Sequence, residues 1–359
     1  VSVDAQEFGE FLKEAENITS GRRVCALSLF APGRDRVEFG DSGMDRVARP
    51  LGELGAELSV PDVLLEVPHG ATRELDYQAL RAQLSPKLPE DLIDYFFVNT
   101  DVGSTEVAYR VAEHVAEKRT VLVLRCLVPR TFIDTNRVIN RSSVPATNGT
   151  SLSNAFPDYI RTETDRTRLL SLYDGYHEIA GRAHALVCEN GGLSIAPHTY
   201  APKSISIDSF DEGIGRALRK AYEPELYKTW NIRPEVDFIT QSNEVVEGDA
   251  EDENSALPEK LAPMRLVEAI WRRYEERDVK CAENESYPLH PASMAHHYSA
   301  RHPGQVLCLE IRRDLLADPF SPFEQMRISD DKALRMAGPI AESVVDFLAG
   351  SDSASLPGT

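Results

Sequence analysis

The chain predicts an α/β protein built on a mixed, mostly parallel central sheet with helices on both faces. Three observations carry that prediction. Short β-rich apolar runs recur along the chain, amphipathic helical patterns lie between them, and several runs are apolar at nearly every position, as strands buried on both faces are. No internal repeat competes with this reading.

The strand-like runs are 24–30, 63–67, 95–98, 120–125, 192–196 and 306–311. The first leads into Pro32 and Gly33, a pair suited to the central positions of a type II turn. Residues 104–118 set Val107, Val111 and Val115 on one helical stripe, with Glu106 and Arg110 spaced for an outward i,i+4 pair and Ser104 or Asp101 placed to cap. A longer amphipathic pattern over 162–189 carries Leu169, Leu172, Tyr173, Tyr176, Ile179, Ala183 and Leu186 on its apolar face. Further helices are expected within 261–276 and 321–348. Residues 242–257 hold six acidic side chains among few apolar ones, and 350–359 are small and polar, so both are expected to be mobile. The expected organisation is an N-terminal elaboration over 1–60, adding an edge strand or a lid, a catalytic domain over 61–349 with a mobile acidic insertion at 242–257, and a disordered tail over 350–359.

Composition narrows the function. Of 359 residues, 58 are acidic and 39 are Lys or Arg, a net charge of -19 that repels nucleic acid and anionic membranes. A few arginines in a cleft still suffice to hold a small anionic substrate. At 42% hydrophobic the chain has ample material for a core, yet no apolar run approaches the roughly 18 residues of a membrane helix. The acidic N-terminus lacks a signal-peptide pattern. Cys25, Cys126, Cys188, Cys281 and Cys308 are scattered, without CxxC spacing, and read as reduced, mostly buried residues of a soluble cytoplasmic protein. Oligomeric state is not legible at this level.

His69, Asp101, His198 and Glu310 share one property: each sits at or just beyond the end of a strand-like run. In α/β sheets ligands collect at the carboxyl ends of strands, so these residues are candidates to converge. A catalytic zinc takes about three N or O ligands and an open position, which two imidazoles and a carboxylate would satisfy.

Five segments occur in a recognisable order: Pro68-His69-Gly70, Asn99-Thr100-Asp101, the tract 130–137 with Arg130, Asp134, Asn136 and Arg137, Pro197-His198-Thr199, and 309–313 with Glu310, Arg312 and Arg313. On these the chain resembles the N-formylglutamate amidohydrolase family, from about residue 61 to about residue 319, most specifically in 130–137. The resemblance implies a phosphorylase/hydrolase-like fold shared with zinc carboxypeptidases, and zinc-dependent hydrolysis, by metal-activated water, of an amide next to a carboxylate. It implies His69 and His198 as zinc ligands, with Asp101 as the third. Glu74 is the alternative, because related zinc exopeptidases take a glutamate soon after the first histidine; here it lies five residues on rather than three.

The same resemblance implies Glu310 as general base, with Arg130, Asn136, Arg137 and Arg313 as polar residues of the substrate site. The planar fork of arginine suits a carboxylate, and Arg130 would also support the oxyanion. An internal salt bridge such as Arg137 with Asp134 is the competing role. Tyr176 and His177 resemble a Tyr-His pair on a family helix, where His177 would pack or support the site. The chain departs from the pattern at Ala196, where an aspartate that could orient His198 is usual, at Thr199 in place of serine, and in the loop from Tyr287 to Tyr298, which replaces a glycine-rich run. That loop holds His290, His296 and His297, either a second metal site or pocket lining. The expected substrate is a small anionic N-acyl amino acid or a short acidic peptide. A metallo-exopeptidase or γ-glutamyl hydrolase, and an inactive carboxylate-binding homologue, are the alternatives.

Overall fold

Eight strands form one mixed sheet among the described residues, which in this computed structural model are 5–40, 59–139, 155–207, 210–242 and 260–354. The strands are β1 (Cys25–Phe30), β2 (Val37–Gly40), β3 (Val63–Val67), β4 (Val121–Cys126), β5 (Leu193–Tyr200), β6 (Val236–Ile239), β7 (Cys281–Glu283) and β8 (Val306–Arg312), in the order β2-β1-β4-β3-β5-β8-β6-β7. The central four, β4-β3-β5-β8, run parallel. On one side β1 is antiparallel to β4 and to β2, and on the other β6 is antiparallel to β8 and parallel to β7.

The helices are α1 (Ala5–Thr19), α2 (Glu74–Arg81), α3 (Leu92–Asn99), α4 (Ser104–Val115), α5 (Glu163–Cys188), α6 (Ile214–Ala221), α7 (Pro224–Tyr227), α8 (Met264–Glu275), α9 (Met294–Arg301) and α10 (Asp330–Ala354). Alternate side chains of each central strand leave by opposite faces, which is why strands such as β3 and β4 are apolar nearly throughout. Leu64, Leu122 and Leu124 join Phe8, Phe11, Phe96 and Tyr176 in a core under α1, α2, α3 and α5. Leu65, Val123 and Ile195 join Val107, Val111, Ile270 and Ile340 in a second core under α4, α8 and α10. Both faces are covered, as the sequence predicts.

One expected strand is a helix. Tyr95 to Val98 lies within α3, where Leu92, Tyr95 and Phe96 fall on one buried stripe at i, i+3 and i+4. A short apolar run does not distinguish a buried helix from a strand, and here the helical stripe, packed against α6, decides. β2, β6 and β7 were not expected individually. α5 agrees closely with the expected 162–189, since Thr162 caps it by accepting a hydrogen bond from the Asp165 N–H at 3.2 Å.

At the N-terminus α1 packs on α5, and β1 and β2 extend the main sheet. α10 continues to Ala354, so the first residues of the expected tail are helical. The acidic stretch beyond Ser242, the segment 41–58 and residues 355–359 lie outside the described residues. No helix among the described residues is long and apolar enough to cross a membrane.

Behind the sheet's upper edge sits a buried polar group. Glu66, on β3, is 5% exposed and accepts hydrogen bonds from Tyr176 Oη at 2.8 Å and from His184 Nε2 at 2.9 Å, both on α5. His184 stacks on Tyr298 of α9, with centroids 3.8 Å apart. Burial alone would raise the Glu66 carboxyl, but His184 and Tyr176 outweigh it and hold it below its ordinary value.

His177, the neighbour of Tyr176, packs instead against Tyr173 at 4.1 Å between centroids, with the Thr135 backbone beside its ring. Burial lowers its pKa to about 4 from an ordinary 6.5. The unfolded chain therefore takes up this proton first as pH falls. The stabilising effect of a neutral His177 is complete above about pH 6.5 and is lost as pH drops toward 4. After allowance for partial exposure the loss is on the order of 2 kcal/mol. Urea titrations across that window should show a shallower pH slope for His177→Gln than for the parent; equal slopes would remove His177 from the acid response.

Candidate metal centre

The residues of the site arrive from four places along the carboxyl edge of the sheet. Chain leaving β3 turns through Pro68 to His69, β5 carries His198, β8 carries Glu310, and the connection from α3 to α4 carries Asp101. Asp101 thus follows a helix, not the strand expected. His198 and Glu310 are paired across adjacent parallel strands. Two glycines make the approach possible. A Cβ on Gly70 would lie 2.2 Å from Arg125 Cγ and 3.1 Å from the Cys126 carbonyl oxygen. Gly103 holds φ at +92°, the left-handed region, just before α4, where a Cβ would lie 2.6 Å from Leu316 Cδ1.

His69, Asp101 and His198 are buried and offer ligand atoms that all lie within 4.8 Å of one another. Asp101 Oδ2 is 3.2 Å from His69 Nδ1 and 2.9 Å from His198 Nδ1. An imidazole lone pair facing a carboxylate at such distances is repulsive unless a proton or a cation lies between them. Two imidazole nitrogens and one carboxylate oxygen are also a donor set that a divalent transition metal accepts, so the three residues could hold a metal ion.

Each ligand candidate is oriented differently from behind. His69 Nε2 is 2.8 Å from Asp134 Oδ1, and Asp134 in turn accepts from Arg130 at 2.9 Å and from the Asn136 N–H at 2.9 Å. Asp101 Oδ1 accepts from Arg130 at 3.1 Å. His198 Nε2, by contrast, is buried with no hydrogen-bonding nitrogen or oxygen among the described residues, and the Cys308 thiol lies beside it. Burial would raise the carboxyls of Asp101 and Asp134, but the surrounding charge prevails. His69, His198 and Arg130 hold Asp101, and Arg130, His69 and Arg137 hold Asp134, well below the usual carboxylate range.

Glu310 lies next to His198, with Oε2 buried and without a hydrogen-bond partner among the described residues. Burial pushes its carboxyl up, His198 opposes the rise and the Asp101 charge reinforces it. All these groups except Asp101 and Asp134 line one cavity of about 280 Å³.

The arginines differ from one another in ways that sequence does not show. Arg313, expected to hold substrate, is 4% exposed and gives its donors to the carbonyls of Val98 and Thr199 and to Thr199 Oγ1. It also lines the cavity and lies 3.8 Å from Asp101. Arg130 lines the cavity but bridges Asp101 and Asp134, the internal salt bridge foreseen for Arg137. Arg137 comes no nearer than 4.0 Å to Asp134, and its buried Nε has no hydrogen-bond partner among the described residues. Asn136 lines the cavity with its side-chain oxygen accepting from the Ala295 N–H at 3.2 Å.

Glu74 begins α2, is exposed, and is not brought into the ligand group. His290 reaches the cavity, whereas His296 bonds Ser242 Oγ at 3.2 Å; with His297 they form no metal-holding group among the described residues. Sequence reasoning missed Asp134 as the partner of His69, although its place in the 130–137 tract was a usable signal. It also missed Arg233, whose guanidinium lies between the rings of Tyr200 and Tyr287 at 5.1 and 5.3 Å. No local pattern marks it.

A mixed α/β sheet with a buried group of two histidines at or after strand ends and one aspartate from a helix–helix connection is thus the class of site the chain defines. No family model matches the chain, and no curated protein does. Several solved structures are similar, among them two of low identity. An N-formylglutamate amidohydrolase from Ralstonia eutropha JMP134 is 13% identical with a TM-score of 0.47, over 91% of this chain and 98% of that one. Gene product Atu2144 from Agrobacterium tumefaciens is 19% identical with a TM-score of 0.43, over 81% and 92%. Likenesses this distant carry no weight for function, which rests on the geometry of the site.

Proposed function

We propose that the chain is a zinc-dependent amidohydrolase that cleaves the amide bond of an N-acyl amino acid, with N-formylglutamate as the reference substrate. The observation that supports this most is the meeting of His69, Asp101 and His198, with both histidines and the nearby Glu310 lining one cavity. Bound by those three residues, zinc would supply a Lewis acid for the amide carbonyl and for water.

The chain's own residues do the rest. Arg137, which lines the cavity, binds the substrate carboxylate through its guanidinium. Glu310 accepts a proton from water as the water oxygen bonds to the amide carbon, then passes it to the leaving nitrogen as the C–N bond breaks. Products are the carboxylic acid of the acyl group and the free amine. Arg130 holds both Asp101 and Asp134 in place and adds positive charge near the developing oxyanion. His69 is fixed through Nε2 so that Nδ1 faces the ligand group.

The reading is tested by metal analysis of purified protein followed by assay on N-formylglutamate and short acidic peptides. One zinc per chain with hydrolysis of the N-acyl amino acid is expected. Faster release from peptides would mark an exopeptidase on the same machinery. Absence of both zinc and zinc-restored activity would leave a carboxylate-binding protein, for which Ala196, in place of the usual aspartate, is the motivating departure. Asp134→Asn should weaken zinc binding by about 10–100-fold in a chelator competition, because it replaces the carboxylate acceptor behind His69. Unchanged affinity would mean that His69 does not ligate through Nδ1.

A further inference from the structure

The walls of the cavity are unequal, and the inequality bears on what the substrate carries besides its carboxylate. One wall is apolar. Tyr95 and Val98 reach it from α3, Leu218 and Tyr222 from α6 and its end, and Ile207 and Phe210 from the segment joining β5 to α6. The Tyr95 and Phe210 rings lie 6.0 Å apart, Tyr222 packs edge-on against Phe323 at 5.2 Å, and an ion pair between Arg219 and Asp94 ties α6 to α3. This is a packed and braced surface.

The cations around the cavity are already engaged, with one exception. Arg130 bridges two aspartates, and Arg313 serves backbone carbonyls. Lys203 Nζ is bonded to the carbonyls of Tyr227 at 2.9 Å and Lys228 at 3.3 Å. Arg233 gives Nε to Ser204 Oγ, one terminal nitrogen to Tyr287 Oη and the other to the Ala201 carbonyl. Burial lowers the pKa of His290, helped by Arg137, and its Nδ1 accepts from the Ala292 N–H. Arg137 alone among the cations on the cavity wall keeps a buried donor without a hydrogen-bond partner among the described residues. A second carboxylate seated on this wall would face no charged side chain among Tyr95, Val98, Ile207, Phe210, Leu218 and Tyr222, an arrangement that burial penalises.

We infer that the substrate is a monocarboxylate N-acyl amino acid bearing an aromatic or branched apolar group, seated on the wall of Tyr95, Val98, Ile207, Phe210, Leu218 and Tyr222. This inference rests on the amidohydrolase reading for the reaction but not for the binding. A selectivity of tenfold or more over a small or doubly charged analogue is the order expected for an apolar group of several carbons.

The test is calorimetric, on Glu310→Gln protein with one equivalent of zinc, so that bound ligand is not consumed. N-formyl-L-phenylalanine or N-benzoylglycine should bind at least tenfold more tightly than N-formyl-L-glutamate. Phe210→Ser, at a half-buried position, should remove most of that preference, whereas Arg137→Gln should weaken all three ligands alike. Equal or tighter binding of N-formyl-L-glutamate, no binding of any ligand, or an unchanged preference in Phe210→Ser would overturn the inference. Hydrolysis by the unsubstituted protein separates the two claims. If aromatic ligands bind preferentially but stay intact in the presence of zinc, the amidohydrolase reading fails and the ligand class stands. Faster turnover of N-formyl-L-glutamate than of either aromatic compound sinks the substrate class and keeps the reaction.

Discussion

Glu310→Gln is expected to lower amide hydrolysis by about 10²–10⁴-fold while the protein still binds one zinc per chain. The substitution keeps size and polarity and removes only the ability to take a proton. Glu310 stands outside the His69, Asp101 and His198 group, so metal content should not change. Its Oε2 is buried beside His198, without a hydrogen-bond partner among the described residues to explain a carboxylate there. Steady-state kinetics paired with metal analysis checks both halves of the expectation. Undiminished turnover would remove Glu310 from the reaction, and lost zinc would make it a ligand.

The second large effect is on stability. Glu66→Ala should cost about 3–5 kcal/mol in urea denaturation, because it leaves His184 and Tyr176 buried without their shared acceptor. Glu66→Gln should cost less, since its amide oxygen can still accept one of the two hydrogen bonds. The His184 ring, stacked on Tyr298, has little room to turn toward another partner. A loss below about 1 kcal/mol for the alanine variant would mean that the group is hydrated or rearranges freely.

What could be read from sequence divides along physical lines. β1, β3, β4, β5 and β8 were legible because strands covered on both faces concentrate apolar residues, leaving little else for such runs to be. β6 and β7 were not, being four and three residues long, with Asp237 inside the first and half-buried side chains in the second. α3 failed differently. Its apolar run fits a strand or a buried helix equally, and only the packing partner α6 decides.

Within the site, the placement of His69, His198 and Glu310 at strand ends was visible in local patterns, and the structure brings them together with Asp101. The division of labour among the arginines was not visible. Whether a guanidinium is available depends on acceptors that arrive from distant segments, as the carbonyls of Val98 and Thr199 do for Arg313. The same reason hid Arg233, whose aromatic neighbours are far from it in sequence and from one another.

The pairing of His198 with Glu310 across β5 and β8 has an evolutionary consequence. Hydrogen-bonded strands stand about 4.8 Å apart whatever their side chains, so the separation of these two residues is a constant of the backbone ladder. The aromatic and aliphatic wall opposite them is supplied by α3, α6 and the segment before α6, none of which belongs to that ladder. Mutation in those parts can therefore redraw the range of accepted ligands while the distance between the paired residues stays locked. In a lineage built on this scaffold, specificity should drift much faster than chemistry.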